Sequence, residues 1–394
     1  MNRRLSEPSA TVAATVGLLA LASAMGIGRF SLTPILPLMQ HDVGLTFAQG
    51  GWLATSNYLG YLAGSLISTA FAPQPVRAIR WGLVAVSVLT LAMGLAGSPL
   101  LWFAFRLLAG TASAFVLVGV SAWAMPILAR CGKERLSGRI FAGVGIGIVF
   151  AGLLSLAAGI GAWGSRSTWI VMGVVAAVLA FFLWWPVATD AAAPAAMAPK
   201  IRNGLPRRAF VAAACYGLFG YGYIIPATFL PALAREYIDN PAVFGGVWPV
   251  FGAAAALSTL AAARFGHRLA PWRLWTGAQW VLAAGVLAPV VSLNVVTLLT
   301  AAVCVGGTFM VITMAGIKEV LRVAGPQASQ GVGTMTAAFA AGQIAGPLTV
   351  SLLAGSSSAF RVASIIAALA LVVGNCVLST DNARRPRTCH LPRH

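Results

Sequence analysis

The sequence predicts an all-α membrane protein, with twelve transmembrane helices in two pseudo-symmetric six-helix bundles. Composition is the first reason. Of 394 residues, 59% are hydrophobic and 9% are charged, whereas a soluble domain carries about 25% charged residues. The second reason is that apolar runs recur from one end of the chain to the other, many reaching the roughly 20 residues that a spanning helix needs. The third is an internal repeat. Gly26-Ile27-Gly28-Arg29-Phe30 leads through Leu36-Pro37 to Met39, and Gly220-Tyr221-Gly222-Tyr223-Ile224 leads through Leu230-Pro231 to Leu233. The offset, Gly26 to Gly220, is 194 residues, near half the chain. Parallel halves of this kind place a transported molecule between corresponding helices.

Taken in order, the spans fall near 11–39, 47–71, 80–97, 100–127, 139–163, 167–187, 209–234, 243–264, 273–291, 294–320, 329–354 and 360–379. Each is expected to be a helix, because hydrocarbon offers no partner to a free backbone N–H or C=O. The apolar pattern stops between the sixth and seventh spans. Residues 189–208 are rich in Ala and Pro and carry Lys200, Arg202, Arg207 and Arg208, as a cytoplasmic linker would. The expected organisation is an N-terminal bundle over 1–188, the linker over 189–208, and a C-terminal bundle with a short basic tail over 209–394. Two further echoes support the duplication. Gly50-Gly51-Trp52 is matched by Gly245-Gly246-Val247-Trp248, and Gly147 by Gly342.

The net charge of +18 suggests nucleic acid until its distribution is examined. With both termini on the inner side, 21 of the 26 Lys and Arg fall on inner segments, among them Arg77, Arg80, Arg130, Lys133, Arg135, Arg139, Arg264, Arg268, Arg273, Lys318 and Arg322. Outer segments hold only Arg166, Arg235 and Arg361. The positive-inside rule then orients the chain with both termini cytoplasmic. The basicity is topological, and no nucleic-acid partner is expected. The opening Arg3-Arg4, apolar run and Ala22-Ser23-Ala24 imitate a signal peptide. Cleavage there would remove half of the first span, so none is expected. Of the five cysteines, none lies in an expected outer loop, and no metal-ligand spacing occurs, so neither disulfide, metal nor cofactor is expected. His41, His267, His390 and His394 fall in loops or the tail.

Glycines recur four apart within spans, where they let helix backbones approach closely: Gly60 and Gly64, Gly143 and Gly147, Gly342 and Gly346. Pro34, Pro37, Pro226, Pro231 and Pro347 are expected to bend helices at similar depths in both halves. The expected packing and gating set is Gly60, Gly64, Gly110, Gly143, Gly147, Gly342, Gly346 and Pro347.

The order of spans, the central linker and the parallel halves resemble the major facilitator superfamily over roughly residues 10–380. Gly26 through Met39 resembles the first helix of the YbfB/YjiJ-type branch. So do Gly51-Trp-Leu-Ala-Thr-Ser-Asn57-Tyr58-Leu-Gly60-Tyr61, Gly222 through Pro231, Gly306-Gly-Thr-Phe-Met310 and Gly342-Gln343-Ile-Ala-Gly-Pro347. The resemblance implies alternating-access transport of a small solute across a bacterial inner membrane, by a protein that contacts the lipid bilayer and works as a monomer. Arg106-x-x-x-Gly110 resembles the superfamily's fourth-helix motif, in which the arginine sits beside the cavity. Two departures stand out. The loop Ala72 through Arg80 lacks the carboxylate usual between the second and third helices, and Gly143-x-Gly145-x-Gly147 lacks the proline of the antiporter motif.

Arg29 and Arg106 are the ionisable residues placed well inside spans. An arginine at mid-bilayer costs about 2.5–3.5 kcal/mol on insertion scales, so each is expected to face the interior. The eight acids map to ends, loops or tails, with Glu319 placed to pair locally with Lys318 or Arg322. Two readings of the arginines stay open. Either they form an anion-binding cavity, since a guanidinium suits carboxylate and phosphate, or they bond helix carbonyls, with Arg29 reaching Asp42 or Glu236. The expected cavity comprises Arg29, Thr33, Asn57, Tyr61, Arg106, Tyr221, Tyr223, Trp248, Thr308 and Gln343, with Tyr58 and Tyr216 nearby. The sequence supplies no carboxylate at the centre of a span as a proton carrier, so proton coupling, exchange and facilitated diffusion all remain open. The expected function is secondary active transport of a small organic solute, with an anionic group favoured; the alternative is a multispecific drug or metabolite exporter. No acid, histidine or nucleophile cluster lies at one membrane face, so an enzyme is not expected.

Overall fold

The computed structural model describes residues 9–71, 73–187, 204–238, 241–353 and 359–383. Among them the chain is helical throughout. The first span is composite. It consists of α1 (Ala10–Leu21), a π-helical segment (Ala22–Ile27), a bend over 28–31 and α2 (Leu32–Val43). Eleven helices follow: α3 (Phe47–Phe71), α4 (Pro75–Leu95), α5 (Pro99–Arg130), α6 (Ser137–Ile160), α7 (Gly164–Leu183), α8 (Arg207–Tyr237), α9 (Pro241–Phe265), α10 (Pro271–Val291), α11 (Val295–Ala324), α12 (Ala328–Leu352) and α13 (Ala359–Ala383). Ten stretches among the described residues are long and apolar enough to cross a membrane. The 25-residue α3 and α12 complete the predicted twelve. Of the expected linker over 189–208, residues 189–203 lie outside the described residues, and α8 already begins at Arg207.

Local chemistry sets the boundaries. The Ser9 side chain accepts from the Val12 N–H and opens α1. Proline stands in the first turn of α4, α5 and α10, where its missing N–H costs nothing. Asn294 and Thr297 form a capping box that opens α11. Gly44, at φ +67°, ends α2 in the left-handed region.

Read as successive crossings, the helices put Ala10, Ala383 and the turns at 131–136 and 266–270 on one face, the basic face. The turns after α2, α6 and α8 lie on the opposite face.

The prolines act less symmetrically than the repeat suggests. Pro226 and Pro231 lie inside α8, and Pro347 inside α12, and both helices run on without a break. Only the first copy breaks, through the π segment and the bend. There the guanidinium of Arg106 donates to the Gly28 and Arg29 carbonyls. The second copy has tyrosine in place of Arg29, and no arginine of α11 stands opposite it to take up carbonyls.

Glycine makes the tight seams. A methyl at Gly60 would overlap the Leu107 carbonyl oxygen, and one at Gly110 that of Asn57, so α3 and α5 pack backbone to backbone. Gly64 presses on Thr111 of α5 in the same seam. Gly342 meets the Gly217 carbonyl in the equivalent α8–α12 seam, and Gly346 meets Ile224. Gly143 and Gly147 bring α6 onto Leu18 and Ala22 of the first span. The two halves meet along α6 and α9, where a methyl on Gly145 would lie 2.5 Å from the Ala256 nitrogen and one on Gly252 would lie 2.6 Å from the Val149 nitrogen.

Candidate functional site

The break in the first span delivers Arg29 to the centre of the bundle, 3% exposed. Its Nη2 donates to Oε1 of Gln343 on α12, 314 residues away. Gln343 passes the polarity on, its Nε2 donating to the Tyr223 hydroxyl on α8 at 2.8 Å. The Arg29 guanidinium carbon also lies 4.0 Å from the centroid of the Tyr61 ring, with the Tyr58 ring at 5.4 Å and Phe30 at 5.3 Å. Such cation–π contacts are worth about 2 kcal/mol when desolvated. Arg29 Nε is buried without a hydrogen-bond partner. The cation at the heart of this bundle is therefore held by an amide and by ring faces.

Arg106, 1% exposed, is used differently. Nη1 donates to the Gly28 carbonyl at 2.8 Å and Nη2 to the Arg29 carbonyl at 2.7 Å. It fastens the break and so positions Arg29. Asn57 supports it from α3, with Nδ2 donating to the Arg106 carbonyl at 2.8 Å. The halves are joined again above this layer. Tyr58 OH and Thr228 Oγ1 are 3.0 Å apart, and Thr33 Oγ1 donates to the Ala227 carbonyl at 3.3 Å. That last bond joins two residues related by the repeat offset of 194. On the α8 side an aromatic ladder backs the site. Tyr223 stacks on Phe219 at 5.3 Å, Phe309 at 5.5 Å and Phe339 at 5.6 Å.

Space is scarce in the layer itself. A cavity of about 10 Å³ touches Arg29, Thr33, Tyr58, Arg106 and Thr228, room for about one water. Towards the opposite face a larger cavity of about 480 Å³ opens between α2, α6, α8 and α9. Pro34, Ser155 and Trp248 are among its lining residues, and His41, Asp42 and Arg235 line it too. The centre is thus closed, with a vestibule on one side.

Of the residues expected in the cavity, Arg29, Thr33, Asn57, Tyr61, Arg106, Tyr223 and Gln343 come together. Trp248 sits in the vestibule wall, stacked on Phe251 at 4.7 Å. Two stand apart. Tyr221 points along the α8–α12 seam, its hydroxyl donating to Thr349 Oγ1 at 3.2 Å. Thr308 bonds the Cys304 carbonyl of its own helix at 2.6 Å. Asp42 is not a partner of Arg29. Its carboxylate accepts from the Ser165 N–H at the start of α7 and from His41 at 3.0 Å. Glu319 pairs with Arg322 at 2.6 Å. The side chains of Glu236 and Asp239 lie outside the description. Thr228, Phe309 and Phe339 were not in the expected cavity. Thr228 carries a faint signal, lying one residue beyond the repeat counterpart of Thr33.

The polar centre lies between two helical halves, and comparison with known proteins decides the family. A family model described as "Uncharacterised MFS-type transporter YbfB" matches residues 21–379. The chain belongs to that family.

Among curated proteins, the "Uncharacterized MFS-type transporter YceJ" of Bacillus subtilis (strain 168) is 26% identical over 262 residues, which is 62% of this chain and 64% of the relative. The match spans less than two thirds of that relative's length. Two crystal structures of the nucleoside transporter NupG, one of a point mutant, share the fold. Their TM-scores are 0.67 and 0.69, and their identities to this chain 15% and 14%. They cover 95% and 93% of this chain and 99% of their own. At that identity the likeness concerns the fold alone. The family and the structural neighbours are transporters, and this YbfB-type chain is a multi-pass membrane protein.

Proposed function

We propose that this YbfB-type chain is an alternating-access secondary transporter of a small organic solute bearing a negative group, bound at Arg29 between the halves 1–188 and 209–394. One observation carries the reading. Arg29 is a buried cation whose described partners are a neutral amide oxygen and the uncharged side chains of Tyr61, Tyr58 and Phe30, with its buried Nε–H unpartnered. A carboxylate would replace Gln343 as the acceptor and gain a charge-assisted pair, which is stronger than the neutral bond it displaces. That exchange would release the Arg29–Gln343 link between the halves, coupling binding to their rocking. Arg106 serves as the positioning residue. The charge distribution supports a bacterial inner-membrane location with the basic face cytoplasmic, and the chain is read as a monomer.

A second reading, multispecific export of drugs or metabolites, is favoured by the aromatic ladder of Phe219, Tyr223, Phe309 and Phe339. The test is thermal melting in lipid nanodiscs with acetate, benzoate, phosphate, neutral sugars and hydrophobic cations, on the parent protein and on Arg29→Ala. Carboxylates are expected to raise the melting temperature of the parent, with roughly 10–100-fold weaker binding in the variant, as befits a bond to a charged group. Stabilisation by cations in both proteins, with no effect of any anion, overturns the anion reading and supports the exporter.

A further inference from the structure

The repeat meets itself at the vestibule. Pro37 and Pro231 are related by the offset of 194, and so are His41 and Arg235; all four line this cavity. One helix turn deeper, the same offset relates Thr33 and Ala227, which are hydrogen-bonded across the halves. Arg235 therefore lies where α2 of the first half faces α8 of the second, and not on the lipid side of α8. Its Nη1 accordingly donates to the Pro37 carbonyl, from one half to the other.

A guanidinium has five N–H donors, and one of those on Arg235 has a described partner. The bond at Nη1 leaves the edge formed by Nε and Nη2 uncommitted. Neither atom is among the enclosed, unpartnered nitrogens, whereas Nε of Arg29 and Nε of Arg106 both are. A solute can thus reach the open edge of Arg235. That edge presents two parallel N–H groups, the fork that takes a carboxylate in paired, charge-assisted bonds. Asp42, on the same cavity, accepts from the Ser165 N–H and from His41, and no described bond joins it to Arg235. The side chains of Glu236 and Asp239 lie outside the description; were either to occupy the edge, no solute would bind there, which the experiment below detects. The other walls are largely apolar, from Pro34, Leu38, Leu156, Pro231 and Trp248, and the volume of about 480 Å³ falls within the range of ligand pockets.

We propose that Arg235 heads a second ligand site, distinct from Arg29, in which the carboxylate of a small organic acid bonds to the Nε–Nη2 edge and its apolar body lies against the proline and leucine walls. The site stands on a reachable cation and a cavity, and does not rest on the reading of Arg29. Pro34, lining this cavity, adjoins Thr33, which lines the central layer with Arg29. The outer guanidinium therefore screens solutes for a negative group before they reach the centre. It is the weaker of the two sites, because Arg235 is only half-buried and water screens an accessible ion pair.

The experiment is equilibrium binding of radiolabelled benzoate to the full chain in lipid nanodiscs, where no detergent competes for the cavity, with benzamide as the competitor that keeps the ring and lacks the charge. The parent is expected to bind two benzoates, and Arg29→Ala and Arg235→Gln one each, the weaker site being the one left in Arg29→Ala. In the Arg29→Ala background, adding Arg235→Gln is expected to weaken the remaining site about 10–100-fold, as loss of bonds to a charged group does. Arg235→Lys, which keeps the charge and loses the fork, is expected to weaken it less, and benzamide does not displace the benzoate. Protection supplies a readout independent of the melting of any variant. Benzoate is expected to slow the reaction of Leu38→Cys with a membrane-impermeant maleimide several-fold, over the background set by the native cysteines, and to lose that effect when Arg235→Gln is added. The proposal is overturned if Arg29→Ala binds no benzoate, if its remaining site is indifferent to Arg235→Gln, if benzamide competes as well as benzoate, or if the introduced thiol is unprotected. If Arg29→Ala instead retains both benzoate sites while Arg235→Gln loses one, the central anion reading fails and the vestibule site stands.

Discussion

The α6–α9 seam permits a paired test in which the same chemical change has two outcomes. Gly145 on α6 faces backbone of α9. A methyl there would lie 2.5 Å from the Ala256 nitrogen, 2.6 Å from the Gly252 oxygen and 3.0 Å from the Ala256 Cα. All three are main-chain atoms, so no rotamer change relieves the overlap. Ordinary contact begins near 3.4 Å, and the helices would have to part by nearly 1 Å. Overpacking of this kind costs about 1–3 kcal/mol. Gly277 on α10 has no heavy atom within 4 Å of an added methyl. Both substitutions to alanine gain the same helix propensity, up to about 1 kcal/mol. That gain cancels in the difference, which isolates the steric cost at the seam. Gly145→Ala is therefore expected to melt below Gly277→Ala by about 1–3 kcal/mol of stability. The assay is a thermal ramp in nanodiscs with a thiol-reactive dye reporting buried Cys215. Each kcal/mol is worth roughly 2–4 °C in a chain of 150–250 residues and less in a longer one, so the gap should be a few degrees. Equal melting temperatures, or Gly145→Ala the higher, would refute the claim that main chain meets main chain between the halves.

Two further outcomes follow from other parts of the molecule. Asp42→Ala removes the acceptor for the Ser165 N–H at the start of α7 and is expected to cost about 1 kcal/mol, as loss of a helix cap does; an unchanged melting curve would show that the contact carries no weight. Orientation is checked by labelling with an impermeant maleimide. Arg166→Cys, on the face opposite the turn at 131–136, is expected to react in intact spheroplasts, and the exposed native Cys131 only after permeabilisation. The reverse pattern would invert the topology.

The sequence by itself determined the class, the recurrence of apolar crossings, the internal repeat and the clustering of cations in alternate loops. It could do so because the bilayer imposes its demands locally. Every stretch of about 20 residues is either apolar enough to cross or it is not, and every loop cation counts toward orientation where it stands. It also singled out Arg29, because a charge within an apolar run is conspicuous without any knowledge of its neighbours. What it could not show is what Arg29 meets. A helix buried on most of its circumference has no single polar face to reveal its rotation, so the pairing of Arg29 with Gln343, of Tyr58 with Thr228 and of Arg106 with two carbonyls waited for the packing. The same holds for Tyr221, whose repeat position suggested the cavity and whose hydroxyl lies in a helix seam. Both copies carry the glycines and prolines that allow a helix to break. Only the tertiary structure decided that the first copy breaks, since a freed carbonyl inside a membrane needs a donor and Arg106 stands beside that copy alone.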